Sequence, residues 1–290
     1  MDKKENKHIL LKISLSLILC LSMIYLYGSY IEPKEITVHE YKIKTDKITD
    51  NFKGFTIVHL SDIHYINNED LSRLKTIVNK INEYNPDVVV ITGDLLDKNS
   101  KINNNTSSLI SEQLSKIEAV CGKYIISGDN DVSWDEWENI VKDGGFINLN
   151  NNYDTIYKKG FDNMLIAGVS SFSDKEDIIN KNQKTENYLN SFETGGPIYK
   201  ILLMHEGDYI KNFENNPYDL VLAGASMGGK VNVPFYGPLI KYTGSKNYIE
   251  GHYKINNNTI DMYVSNGIGT STPVFRLFNK PSINVYRLTK

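Results

Sequence analysis

Asp87-Val-Val-Val-Ile-Thr-Gly-Asp94 is a β-branched run that stops at a glycine and a carboxylate. Val88 to Thr92 shows no alternation of apolar and polar residues, so it reads as a strand covered on both faces. The same pattern recurs along the chain. Phe55-Thr-Ile-Val-His-Leu60 ends at Ser61-Asp62-Ile63-His64, and Lys123-Tyr-Ile-Ile126 ends at Ser127-Gly-Asp-Asn-Asp131. Tyr199 to Met204 ends at His205, and Leu220-Val-Leu-Ala223 runs into Gly224-Ala-Ser-Met-Gly-Gly-Lys230.

Between the strands lie helical patterns, clearest at Leu71, Leu74, Val78 and Ile81. Helices are also expected over Leu109 to Val120 and Trp134 to Lys142. Ile36 to Lys44 reads as an opening strand, and Asp261 to Ser265 and Ile283 to Tyr286 as closing strands. Lys101 to Ser108, rich in Asn and Ser, reads as a loop. Asp174 to Phe192 is polar and reads as a surface excursion carrying a helix. Strands alternating with helices define an α/β fold, whose site lies at the carboxyl ends of its strands. Asp62, His64, Asp94, Asp129 and His205 all fall at such ends, so one edge would gather them into one constellation. His59 alternates away from that edge and reads as a core or surface histidine.

The chain has 290 residues, a net charge of −3 and two cysteines, Cys20 and Cys121. That length suits one or two globular domains, and the absence of a linker after residue 35 favours one. The near-neutral charge gives no reason to expect a nucleic-acid partner. Cys20 lies in an apolar run, so a disulfide within the folded body is not expected. Residues 13–31 carry no charge; counted back to Ile9, the run reaches the ~20 residues a membrane helix needs. Lys3, Lys4, Lys7 and Lys12 precede or flank it and favour an inside N-terminus. Tyr25, Tyr27 and Tyr30 suit the far interface. The expected order is a cytoplasmic tail (1–8), a transmembrane signal-anchor helix (9–31) and a folded domain (36–290). The protein would then be a single-pass cell-membrane protein with its domain extracytoplasmic. A cleaved signal peptide is the competing reading, but no small-x-small site lies near Gly28, and Leu19 is too bulky for a lipoprotein box before Cys20.

Carboxylates with imidazoles suit borderline divalent ions such as Mn, Fe or Zn. A pair of such ions can clamp a phosphoester and activate a water. The ordered set Asp62-x-His64, Gly93-Asp94, Gly128-Asp-Asn-Asp131, His205 and Gly224-x-x-x-Gly-Gly229 resembles the calcineurin-like metallophosphoesterases, in particular their membrane-anchored bacterial branch. The resemblance covers residues 36–290 and extends to Gly267-Ile-Gly-Thr-Ser271 and Arg276. It implies a four-layer αββα sandwich with a dimetal site at the strand ends. On that resemblance Asp62 and His64 are ligands of one metal, Asp94 is the bridging carboxylate and His205 is a ligand of the second metal. Asp129 stands where the family has a metal-binding Asn, and Asn130 where it has the histidine that contacts the phosphoryl group.

The departures fall on the chemistry. Ala225 and Met227 replace the two histidines of the family's last motif. Ala225 offers no ligand atom, and a thioether is a poor partner for Mn or Mg. Asn130 can contact a phosphate oxygen but cannot deliver a proton, leaving no residue assigned a catalytic role. The depleted ligand set suits one ion instead of two, or none. Two readings follow. In the first, hydrolysis is lost or strongly weakened and the domain binds a metal or a phosphorylated ligand, as a pseudoenzyme. In the second, a working phosphodiesterase acts on envelope or lipid-linked phosphoesters with a reduced ligand set. Met227 reads as a packing residue, Trp134 and Trp137 as a packed helix face, and His252 as remote from the site.

Overall fold

The computed structural model of the protein describes residues 3–172, 180–192, 195–213 and 218–290. In chain order it begins with α1 (Lys3–Leu26), β1 (Thr37–Lys44), β2 (Thr56–Leu60), α2 (Asp70–Asn82), β3 (Val88–Thr92) and α3 (Asn104–Ser115). There follow β4 (Gly122–Ile126), α4 (Trp137–Asp143), β5 (Ile147–Asn148), β6 (Asn152–Tyr157), β7 (Asn163–Gly168), α5 (Gln183–Asn190) and β8 (Tyr199–Glu206). The chain closes with β9 (Leu220–Gly224), β10 (Asn232–Val233), β11 (Gly237–Pro238), β12 (Gly251–Ile255), β13 (Ile260–Val264) and β14 (Ser282–Thr289).

Among the described residues, two mixed six-stranded sheets form, in the orders β1-β14-β2-β3-β4-β5 and β12-β13-β9-β8-β7-β6. Within the first, β2 through β5 run parallel and β14 pairs antiparallel to β2. Within the second, β7, β8, β9 and β13 are parallel and the edge strands β6 and β12 antiparallel.

Period-two alternation sorts each strand's side chains between two cores. Val89, Ile91 and Ile125 pack outward against Leu74, Ile77, Ile110, Leu114 and Ile140 of the helices. Val88, Val90, Tyr124 and Ile126 pack inward against Ile166, Leu203 and Leu222 of the second sheet. The second sheet's outer face, with Leu202, Met204 and Val221, is covered by residues including Tyr188, Leu189, Ile210 and Phe213. The layers are therefore helix, sheet, sheet and a thinner outer layer holding α5, a mixed α/β sandwich. His59 lies in the central core, where Nε2 bonds Thr92 Oγ1 at 2.8 Å and Nδ1 bonds Tyr286 Oη at 3.2 Å. Burial pulls its imidazole down to about 3.

Some expected boundaries move. The Asn- and Ser-rich segment 101–108 is not all loop, because Asn103 caps α3 by accepting the Thr106 N–H at 3.0 Å. The same residue types that favour loops also make good N-caps, so composition alone misreads them. Trp134 precedes α4, whose first residue is Trp137. Of the polar excursion, residues 173–179 lie outside the described residues; the expected helix appears as α5.

The apolar N-terminal segment forms α1 and continues through a π-helical turn (Tyr27–Ile31) and a 3₁₀ turn (Glu32–Lys34). The span Lys7–Lys34 is long and apolar enough to cross a membrane, and its apolar side chains from Ile9 to Leu26 are exposed.

Leu222 is fully buried between the sheets. Leu222→Ala is expected to cost about 2–5 kcal/mol of stability, read as a lower denaturation midpoint. Phe161→Ala, at a fully exposed turn, is expected to stay within about 0.5 kcal/mol of the parent.

Candidate metal centre

Residues at or just past the carboxyl ends of β2, β3, β4 and β9 line one cavity of about 750 Å³, and β8 brings buried His205 to within 3.6 Å of Asp94 without lining that cavity. Its walls include Asp62, His64, Asp94, Asp129, Asn130, Ala225 and Met227. After β2 the chain turns along the end of β3, with Asp62 N–H on Gly93 O at 3.0 Å and His64 N–H on Asp94 O at 2.9 Å. The turning residues adopt left-handed backbone: Asp62 at φ 54°, His64 at φ 49° and Asp94 at φ 54°. Non-glycine residues there cost ~1–3 kcal/mol each and cluster at functional sites.

Two glycines make the approach possible. A Cβ on Gly93 would sit 2.5 Å from His205 Nδ1, and one on Gly128 would sit 2.1 Å from Asp94 Oδ1. The tail segment Gly267 to Ser271 packs over the β2 turn, where Gly269 N–H bonds Asp62 O at 2.7 Å. Fully buried Arg276 holds that segment by donating to the carbonyls of Asn266, Gly267 and Gly269.

Asp62, Asp94 and His205 bring one ligand atom each to within 4.8 Å of one another. His64 Nε2 and His205 Nε2 each lie 3.6 Å from Asp94 Oδ2, too far for a good hydrogen bond. Both Nε2 atoms are buried and have no hydrogen-bond partner. Their other nitrogens are engaged. His64 Nδ1 faces Asp97 Oδ2 at 3.1 Å, and His205 Nδ1 faces Thr92 O at 2.6 Å. A carbonyl can only accept, so His205 Nδ1 carries a proton, and Nε2 is the atom that faces the cluster. This carboxylate- or carbonyl-oriented imidazole is the arrangement metal ligands adopt. The residues therefore fit a divalent cation. Asp129 adds an exposed carboxylate, with Oδ1 3.3 Å from His205 Nε2.

Burial lifts the Asp62 carboxyl above its usual range. Burial also opposes ionisation of Asp94, but the His205 and His64 charges and the Asn130 N–H hold it well below that range. His205 is pulled down by burial and pushed further up by Asp94 and Asp129, leaving it well above the usual imidazole value.

The glycine-rich turn after β9 carries no imidazole. Ala225 lies at φ 62° and Met227 at φ 47°. Ala225 N–H donates to Asp62 Oδ2 at 3.1 Å, while Met227 is buried with Sδ 3.9 Å from Ser271 Oγ. Asn130 lines the cavity, but both its backbone N–H and its side-chain amide donate to Asp94. His252 pairs instead with Asp261 at 2.5 Å and does not line the cavity.

Three contributors escaped the sequence reading. Asp97 orients His64, and its spacing of three after Asp94 was the available signal. Asp131 accepts from the N–H groups of Leu96 and Gly128, both at 2.9 Å, tying the β3 and β4 turns together. Burial first and Asp94 second push its carboxyl up to about 7. Lys230 Nζ reaches Ser271 O at 2.9 Å on the cavity wall, and burial pulls its ammonium down to about 8.

A two-sheet sandwich with acids and imidazoles at adjoining strand ends defines a class of α/β protein able to hold a divalent cation there. Comparison with known proteins gives the family. Residues 55–267 match the model of the calcineurin-like phosphoesterases, and the chain belongs to that family. It is 32% identical to the metallophosphoesterase YkuE of Bacillus subtilis over 91% of this chain and 89% of that protein. It is 25% identical to YkoQ of the same organism over 95% of this chain and 99% of that one. A zebrafish transmembrane protein with a metallophosphoesterase domain is 28% identical over 86% of this chain, which spans 56% of that protein's length.

Cation binding at this cluster would stabilise the folded chain. At about a hundred times its Kd, Mn²⁺ is expected to add ~2.7 kcal/mol, measured as a raised unfolding midpoint. Asp94→Asn is expected to abolish the rise; an unchanged rise would place the cation elsewhere.

Proposed function

We propose that this family member is a membrane-anchored binding protein whose hydrolysis of phosphoesters is lost or strongly weakened. Asp62, His64, Asp94, His205 and Asp129 hold one divalent cation (Mn, Fe or Zn), and the cavity takes a phosphorylated ligand beside it. The cation, when bound, would polarise a phosphoryl oxygen and lower the pKa of a coordinated water. The observation that carries this reading is the pair Ala225 and Met227. Both keep a left-handed backbone on the cavity wall, yet one has no ligand atom and the other buries its thioether in packing. Asn130 points the same way, because its amide is engaged by Asp94 and has no acidic proton for a leaving group.

The two orphaned Nε2 atoms support cation binding, which the loss of the turn imidazoles leaves in place. The lysines at the start of α1 (Lys3, Lys4, Lys7 and Lys12) support an inside N-terminus, with the domain on the outer face of the membrane.

The full chain is tested against an aryl phosphodiester with Mn²⁺. We expect turnover near the uncatalysed background, and a gain of about 10²–10⁴ in Asn130→His/Ala225→His/Met227→His, the usual worth of a restored acid. Turnover in the parent comparable to that of YkuE, and abolished by Asp94→Asn, would defeat the binding-protein reading and establish a reduced-set phosphodiesterase.

A further inference from the structure

The cavity shares a wall with the end of the apolar helix. Tyr25 of α1 lines it together with Val231, Ile240, Val274 and Phe275. Tyr25 stacks on Phe275 with ring centroids 6.1 Å apart. Three residues on, Gly28 O accepts the Arg276 N–H at 2.9 Å, and a Cβ on Gly28 would lie 2.6 Å from the Phe275 ring. Buried Glu32 then accepts the Asn279 N–H. The helix thus enters the domain packed against it, with no free tether that would let the cavity move away from the helix exit.

Around that exit the surface is apolar. Phe235 and Tyr236 at the β10–β11 hairpin tip, with Leu239, Ile240, Val274 and Phe278, are exposed. The hairpin and the 273–278 loop form one body, joined by Asn232 N–H to Leu277 O at 2.9 Å and Leu277 N–H to Lys230 O at 3.0 Å. Phe235 (φ 67°) and Phe278 (φ 56°) both adopt left-handed backbone, which bulky residues seldom do. Residues 231–249 contain Lys241 and Lys246 and no acid, Glu250 beyond them accepts from Asn232 at 3.1 Å, and in the loop Arg276 is buried while Lys280 pairs with Glu35 at 2.8 Å. Exposed aromatics beside Lys241 and Lys246 suit the headgroup region of an anionic bilayer.

We propose that this hairpin and loop are a membrane-docking rim, continuous with the span, that seats the mouth of the cavity on the headgroup layer. The cavity's phosphorylated ligand is then the headgroup of a lipid in that membrane. This inference rests on the membrane-anchored reading above, and its test separates the two.

The full chain is reconstituted in vesicles containing brominated phosphatidylcholine, and emission is read from single added tryptophans after subtraction of the parent's signal. Ile18→Trp reports the span, Phe235→Trp the rim, and Phe161→Trp the exposed β6–β7 turn at the opposite ends of the strands. Strong quenching at Ile18 and Phe235, with Phe161 unquenched, is the expected result. Quenching at Ile18 alone overturns the rim and leaves the anchor standing; quenching at neither overturns both. The ligand is read in the Mn²⁺-loaded full chain in nanodiscs, with phosphatidic acid in the bilayer or inorganic phosphate in solution. A rise in unfolding midpoint with the lipid, removed by Asp94→Asn, is expected. A rise with inorganic phosphate alone, or with neither, overturns the headgroup ligand.

Discussion

Asp94 is where the two sheets meet electrostatically. Its carboxylate sits just past the end of β3 of the first sheet, and His205 reaches it from β8 of the second. His64, one turn away on the first sheet, faces the same oxygen. A buried carboxylate needs compensation, because desolvation of an unpaired charge is expensive. Two donors from Asn130 supply part of it, and the imidazoles the rest. The backbone follows from this demand. The left-handed turns at residues 62, 64 and 94 aim three side chains at one point, and Gly93 and Gly128 leave the space for them. The tail held by Arg276 closes the turn from the other side.

Much of this was legible in the sequence because two periodicities coincide with chemistry. The β-branched run before Gly93-Asp94 could only be a strand covered twice, and Asp62, His64 and His205 follow runs of the same kind. Once those strands are parallel, their ends must share an edge. What pattern could not supply was partnership across the chain. Asp97 looks like any loop acid until its carboxylate is seen against His64 Nδ1. Asp131 looked like part of a motif and proves to be the brace between two turns. Nor could hydropathy show that Tyr25 lines the cavity, since an interfacial tyrosine and a wall residue have the same sequence signature. Asn103 was misread for a related reason: cap and loop draw on the same residues.

The distribution of retained and missing groups follows from what each does for the fold. Asp62, His64, Asp94 and His205 are buried at strand ends, and each is held by at least one hydrogen bond to a neighbouring side chain or main chain. Removing one leaves a buried partner without compensation, a cost of ~1–3 kcal/mol for a neutral group and more for a charge. Positions 225, 227 and 130 belong to turns that face the cavity. There Ala225 and Asn130 still make the backbone hydrogen bonds that hold Asp62 and Asp94, so the turn is kept by its main chain whatever its side chains are. A chain no longer required to turn over a phosphoester would therefore lose the turn imidazoles first and the strand-end cluster last. It would also keep Gly224, whose Cβ would fall 1.7 Å from Ser61 Oγ, because that glycine serves packing before chemistry. Stability and catalysis press on different atoms of the same site.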